Sequence, residues 1–271
     1  MLTRRVALGA MAAPLLARTK ATAFALIGDR YHNSDYIRTG LTKTMAEAGV
    51  TVDFCDETKM LDAEQLHGYK LLIILRDGMT WPDGYPDENT NAAWVKTGSP
   101  ALVSDPPVPK HRSEPHYWIR PEQGKAVKQF VQNGGGALFM HNVTYIAPHD
   151  PDFRDVLGAE TQGHPPIRKF KVKVTNPNHP ITRGVRDFIV TDEQHYMKYQ
   201  KDPKHLLLES VNEEGLDYNK LGPKAPAGWA YDYGKGRVCY LGPGHLLTVL
   251  WNPEYVKLQQ NAANWLLKKT S

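Results

Sequence analysis

Four short, predominantly apolar runs constrain this chain more than any other feature: Thr22–Ile27, Thr51–Cys55, Leu71–Leu75 and Ala137–Met140. A strand with one wet face alternates apolar and polar residues, so mainly apolar runs of this length point to strands buried on both faces, as in a parallel sheet covered by helices. Helical patterns lie between them, at Asp35–Ala48 before Gly49, at Ala63–Leu66, and at Pro121–Gln132, stopped by Gly134-Gly135-Gly136. Strand–helix alternation predicts an α/β fold with a doubly wound, mostly parallel sheet flanked by helices. The later half reads differently. Arg168–Thr175 alternates with period two, and Phe188–Val190 and Leu206–Ser210 are short strands. Gly228–Tyr233 faces Arg237–Leu241 across Gly234-Lys235-Gly236 as a C-terminal hairpin, and Pro253–Lys268 is an amphipathic closing helix.

The segment Met79–Trp118 resists this scheme, being rich in Pro, Gly, Asp and aromatic residues without periodicity. A loop of that length is usually a functional or interaction element. At the other end, Thr3-Arg4-Arg5-Val6-Ala7-Leu8 opens an apolar stretch that reaches Ala17 and contains Pro14. It is too short to cross a bilayer and has the form of a signal peptide, whose paired arginines suggest twin-arginine export. The expected division is a signal peptide at 1–20 and one domain at 21–271, with a periplasmic or secreted location. An unprocessed N-terminus would leave the protein in the cytoplasm.

Composition excludes several partners. Hydrophobic residues at 41% and charged residues at 23% are those of a globular protein, and the net charge of +4 is spread along the chain without a basic run. Neither a nucleic-acid footprint nor stable membrane insertion is expected. The two cysteines, Cys55 and Cys239, lie inside apolar runs and read as core residues.

The chemistry is carried by histidines. Of eleven, four follow separate predicted strands: His32 after Gly28-Asp29-Arg30-Tyr31, His141 after Met140, His195 in Thr191-Asp192-Glu193-Gln194-His195-Tyr196, and His245 after Gly242-Pro243-Gly244. Open α/β sheets bind ligands outside the carboxyl ends of their strands, so these four can converge on one crevice, joined by Asp29, Asp192 and Glu193. Imidazoles with carboxylates suit one zinc, manganese or iron ion, and the same groups serve as acids and bases without metal. Other chemistries fare worse. No Gly-Lys-Ser/Thr follows the glycine triplet, and Gly28-Asp29-Arg30 lacks the dinucleotide spacing, so no nucleotide cofactor is expected. Neither cysteine has a glycine-flanked elbow, and the place of an amidotransferase-type cysteine holds His141.

Together these pieces resemble the trehalose-utilisation, ThuA-like family, an offshoot of the class I glutamine amidotransferase-like fold. The motifs are Gly28-Asp29-x-Tyr31-His32, Gly134-Gly135-Gly136-x-x-x-x-His141, His179-Pro180-Ile181-Thr182-x-Gly184, Asp192-Glu193-Gln194-His195-Tyr196, Gly228-Trp229-x-x-x-Tyr233-Gly234-Lys235-Gly236-Arg237-Val238 and Leu241-Gly242-x-Gly244-His245. The resemblance implies a flavodoxin-like sheet without the amidotransferase cysteine, and a link to carbohydrate catabolism beside sugar dehydrogenases that make 3-keto-glycosides. His179 reads as a turn residue.

The expected activity is isomerisation, epimerisation or elimination on a keto-sugar, with metal-assisted glycoside hydrolysis and non-catalytic sugar binding as alternatives. In the first scheme His32, His141 and His245 hold a divalent metal or form the electrophile, and His141, Glu193 and His195 are catalytic, with Glu193 or His195 moving the proton. Asp29, Tyr31, Asp192 and Trp229 are the expected substrate contacts. Trp81, Tyr117 and Trp118 join Trp229 as candidate sugar-stacking aromatics. A small sugar is the expected partner, and self-association is left open.

Overall fold

Burial on both faces accounts for the elements that form first along the chain. The computed structural model describes residues 20–80 and 114–269. In β1 (Ala23–Ile27) and β3 (Leu71–Leu75) every residue is buried, and successive side chains enter opposite cores. Ala23, Ala25, Ile27, Leu71, Ile73 and Leu75 pack into one; Phe24, Leu26, Leu72 and Ile74 into the other. Between them come α1 (Ser34–Glu47), β2 (Val52–Cys55) and α2 (Ala63–Leu66). Asn33 caps α1 through Asp35 N–H, and Gly49 ends the turn at φ +67°, a conformation that favours glycine.

A small antiparallel pair, β4 (Met79–Thr80) with β5 (His116–Tyr117), precedes α3 (Pro121–Gln132) and β6 (Gly136–Met140). Then follow α4 (Pro151–Leu157), β7 (Ala159–Gly163), β8 (Arg168–Val174), β9 (Phe188–Asp192) and β10 (Tyr196–Tyr199). The chain closes with β11 (Leu206–Val211), β12 (Lys224–Tyr233), β13 (Gly236–Leu241), α5 (Leu247–Leu250) and α6 (Pro253–Leu266).

The main sheet has nine strands in the order β2-β1-β3-β6-β13-β12-β11-β8-β9. Its first five are parallel and repeat the flavodoxin-like 2-1-3-4-5 order, whose switch point lies between β1 and β3. The rest are antiparallel: the β12–β13 hairpin aligns Tyr233 with Gly236 and Gly228 with Leu241, and β11, β8 and β9 extend it. Side chains of α1, α5 and α6 fill one core, and those of α2, α3 and α4 the other.

Helix α4 and the separate β7–β10 pair were not anticipated from sequence. The strand of β7, Ala-Glu-Thr-Gln-Gly, is polar and mostly half-buried, so it lacks the apolar signature of the others. The expected leader, Trp81 and most of the Met79–Trp118 segment lie outside the described residues. Among the described residues, no helix is long and apolar enough to cross a membrane. Cys55 and Cys239 are both free, Cys239 fully buried.

Candidate functional site

The carboxyl ends of β1, β3, β6, β9 and β13 meet beside the switch point. The loop after β1 is folded around Asp29, whose Oδ1 accepts Tyr31 N–H at 2.8 Å, His32 N–H at 3.0 Å and His32 Nδ1 at 2.8 Å. Its Oδ2 accepts Asp77 N–H at 3.0 Å and Asn142 Nδ2 at 2.8 Å, so one buried carboxylate ties the ends of β1, β3 and β6 together. Burial raises the Asp29 carboxyl, but the His32 charge and these hydrogen bonds outweigh it and hold the group well below the usual range. A carboxylate can only accept, so His32 carries its proton on Nδ1 and presents Nε2 to the cleft.

His141 follows β6 directly, in the left-handed region at φ +51°. A non-glycine residue is rare there, and such strain clusters at functional positions. The turn aims the fully buried ring at the cleft: Nδ1 donates to Gly242 O at 3.0 Å, leaving Nε2 as the lone-pair nitrogen. That Nε2 is 3.1 Å from His32 Nε2, and His245 Nδ1 is 2.9 Å from the same His32 atom. The loop carrying His245 is held by Asp192, whose carboxylate accepts Gly244 N–H at 2.7 Å and His245 N–H at 3.1 Å. It passes so near that a Cβ on Gly244 would lie 2.8 Å from His141 Cβ.

Glu193 reaches into the centre. Its Oε2 is 3.3 Å from His141 Nε2, 3.3 Å from His245 Nδ1, 3.4 Å from His195 Nε2 and 4.0 Å from His32 Nε2. Its Oε1 is 3.7 Å from His164 Nδ1. Burial alone would raise this carboxyl; the surrounding imidazoles of His141, His195 and His245 reverse the sign and hold it far down, which makes it a poor proton acceptor. Burial lowers His32 and drives His195 well down, whereas at His141 the attraction of Glu193 and Asp192 overcomes burial and raises it. Asp192 is raised by burial.

An open cavity of about 370 Å³ lies over this cluster, walled by Tyr31, Asp77, Met79, Tyr145 and His164 as well as His32, Glu193 and His245. The Asp77 carboxyl is raised well above the ordinary carboxylate range by its burial and by the Asp29 charge. A larger hollow of about 430 Å³, near Lys70, Gly135 and Lys268, opens at the amino ends of the strands. It lacks a converging histidine–carboxylate set, so chemistry rather than size identifies the site.

The donor set fits a cation. Among the described residues, two groups bring candidate ligand atoms within 4.8 Å of one another: His32, His141, Glu193 and His245, and His164, Glu193 and His195. Nitrogens bound at 2.0–2.1 Å to one tetrahedral ion lie roughly 3.3 Å apart, close to the spacings found here. Asp29 and the Gly242 carbonyl occupy the outer nitrogens of His32 and His141, the usual arrangement behind metal-binding imidazoles.

Several expected contacts need correction. Trp229 is fully buried, stacked on Tyr240 at 4.1 Å between ring centroids, and its Nε1 donates to Leu157 O, so it packs the core instead of meeting a sugar. Asp29 and Asp192 are buried behind the histidines they position. Trp118 is buried with Nε1 on Asp77 O, and Tyr117, although exposed, stacks on His149. Of the expected substrate contacts only Tyr31 faces the cavity. His179 sits in its turn, where Nδ1 accepts Ile181 N–H. Sequence reasoning missed Asp77, Tyr145 and His164. His164 does follow a strand, but a polar one.

Fold and site define a flavodoxin-like α/β protein with a histidine–carboxylate centre beside its switch point. The chain belongs to the ThuA family, described as trehalose utilisation, whose model matches residues 111–266. Among solved structures it is similar to a putative ThuA-like protein from Bacteroides uniformis (18% identity, 90% of each chain, TM-score 0.59). Another from Parabacteroides merdae has 15% identity over 92% of this chain and 90% of that one, with a TM-score of 0.63. The fold also matches 32% of a β-galactosidase from Rahnella sp. R3, covering 92% of this chain at 14% identity and a TM-score of 0.55. No curated protein matches in sequence.

Proposed function

We propose that this chain is an enzyme of carbohydrate metabolism that binds a divalent cation through His32, His141, His245 and Glu193 and transforms a keto-sugar. The observation that carries the reading is the convergence of the His32 and His141 Nε2 atoms at 3.1 Å while both Nδ1 atoms donate elsewhere. Two lone pairs held face to face repel unless a proton or a metal ion lies between them. The carbohydrate part rests on the family, described as trehalose utilisation.

When bound, the ion supplies Lewis acidity toward a carbonyl oxygen. The protein supplies position and proton transfer. Tyr31 and Tyr145 flank the cavity and offer ring faces and hydroxyls to a sugar. Asp77 lies on the same wall, with Oδ1 accepting Met79 N–H at 2.9 Å. Its raised carboxyl suits proton exchange near neutral pH better than Glu193, which is held ionised by three imidazoles. Removal of a proton beside a keto group leads to isomerisation when the proton returns to the neighbouring former carbonyl carbon and to epimerisation when it returns to the opposite face of the same carbon; loss of a β-substituent instead is elimination.

The test is NMR of 3-keto-glycosides in D2O with untagged, metal-supplemented protein. Deuterium should enter the carbon beside the keto group, exchange should vanish in His141→Ala, and it should slow strongly in Asp77→Asn. If no keto-sugar exchanges or converts, the reading fails. Solvent oxygen-18 at a cleaved glycosidic bond, without exchange, would replace it by metal-assisted hydrolysis. On the metal itself, protein that copurifies with none, and whose stability and activity ignore added divalent ions, would leave acid–base catalysis alone.

A further inference from the structure

Glu193 has two oxygens, and the four-residue centre accounts for only one of them. Oε2 faces His141 and His245, whereas Oε1 is turned toward His164, 3.7 Å from its Nδ1. His195 lies between the two sides, its ring 4.4 Å from that of His141 and 4.7 Å from that of His164 between centroids. It is buried, and neither ring nitrogen has a hydrogen-bond partner; its nearest polar neighbour is Glu193 Oε2, 3.4 Å from Nε2. An imidazole with both nitrogens buried and unsatisfied has lost its hydration with nothing to replace it. Buried polar atoms without partners therefore mark strain, a functional group or a missing ion.

The His195 and His164 rings are 4.7 Å apart between centroids, and the ligand atoms of His164, Glu193 and His195 all fall within 4.8 Å of one another. We infer that His164, Glu193 and His195 form a second divalent-cation site, and that the Glu193 carboxylate bridges it to the first to make a dinuclear centre. The inference rests on the reading of His32, His141, His245 and Glu193 as a metal site. It removes the proton-carrying role from His195 and makes that residue a ligand.

Two ions bridged by a carboxylate can hold two oxygens of one substrate. The adjacent oxygens of a keto-sugar, a carbonyl beside a hydroxyl, are such a pair. His164 and Glu193 line the open cavity, so the second site borders the same space as the first.

The experiment is titration of untagged, chelator-treated protein with Mn(II), followed by equilibrium dialysis and electron paramagnetic resonance. Wild type should take up two ions per chain and give an exchange-coupled spectrum at saturation. His164→Ala should take up one and give an isolated-ion spectrum. His164→Ala is the safer variant because this side chain is partly exposed; unchanged metal-free thermal unfolding verifies its fold. His195→Gln should also reduce the stoichiometry to one. Saturation of wild type at one uncoupled ion per chain would overturn the second site and leave the first reading standing. Two ions in His164→Ala would overturn it as well. No binding by wild type would remove the first site and the second together.

Discussion

His32 and His141 point their Nε2 atoms at each other across 3.1 Å from the ends of β1 and β6, and each is locked in that pose from behind. The lock on His32 is Asp29, at 2.8 Å from Nδ1; the lock on His141 is the Gly242 carbonyl, at 3.0 Å. Such outer partners fix tautomer and ring orientation and raise the donor strength of the inner nitrogen. The consequence is testable without knowing the substrate.

Asp29→Asn keeps the size of the side chain but removes the charge and turns one acceptor into a donor. Metal affinity should fall by about 10–100-fold, the usual cost of losing an outer-shell partner. The midpoint of unfolding should also drop, because Asp29 accepts five hydrogen bonds that link three strand ends. Competition with a chromophoric chelator measures the first effect and calorimetry the second. Unchanged affinity would show that Asp29 braces the loop only.

Gly244→Ala tests the other lock. A Cβ there would meet His141 Cβ at 2.8 Å, and Asp192 pins the backbone on both sides of the contact. The ring of His141 must shift or the loop must lift, and a misplacement of about 1 Å in an active site can cost roughly 100-fold in rate. Turnover should fall by that order while overpacking lowers stability by about 1–3 kcal/mol. Normal turnover with lower stability would mean that the loop yields and the ring does not.

Tyr31 and Trp229 separate binding from packing. Tyr31 is 41% exposed on the cavity wall, whereas Trp229 has no exposure and its indole N–H is spent on Leu157 O. Tyr31→Ala should raise KM several-fold with little change in unfolding temperature. Trp229→Phe should do the reverse, losing about 1–3 kcal/mol from the orphaned Leu157 carbonyl and the vacated space while KM holds. A KM effect confined to Trp229 would restore it as a sugar contact.

The same contrast explains what could be read from sequence. Apolar runs such as Leu71–Leu75 announce themselves because both faces are buried, and strand-end positions then bring His32, His141, Glu193, His195 and His245 together by topology alone. Depth was not legible. Asp29 and Tyr31 are two residues apart in one loop, yet one lies behind the site and the other in front, a difference set by the direction of the turn. His164 escaped because β7 is short and polar and pairs outside the main sheet. Asp77 escaped because a lone aspartate after a buried strand carries no mark of the neighbouring Asp29 charge that raises it.

Away from the site, Asp155 should govern part of the acid stability. It joins α4 to α3 and to the sheet side: Oδ1 is 2.8 Å from Lys201 Nζ, Oδ2 is 3.2 Å from Lys128 Nζ, and Oδ2 accepts the Tyr233 hydroxyl. Partial burial raises its carboxyl, but the Lys201 and Tyr233 hydrogen bonds and the lysine charges prevail, bringing it down to about 2. The unfolded chain has an aspartate near about 3.9, so the folded state binds the proton more weakly. The stabilisation is therefore complete above the unfolded value and is lost as pH falls from about 4 through about 2. Because the side chain is 42% exposed, salt screens the ion pairs and the effect should shrink at high ionic strength. In Asp155→Asn the midpoint should be lower at neutral pH, and its distance from wild type should close over that acid window. Other carboxylates titrate there too, so the difference between the two proteins is the measurement, and parallel curves from pH 7 to pH 2 would refute the role assigned to Asp155.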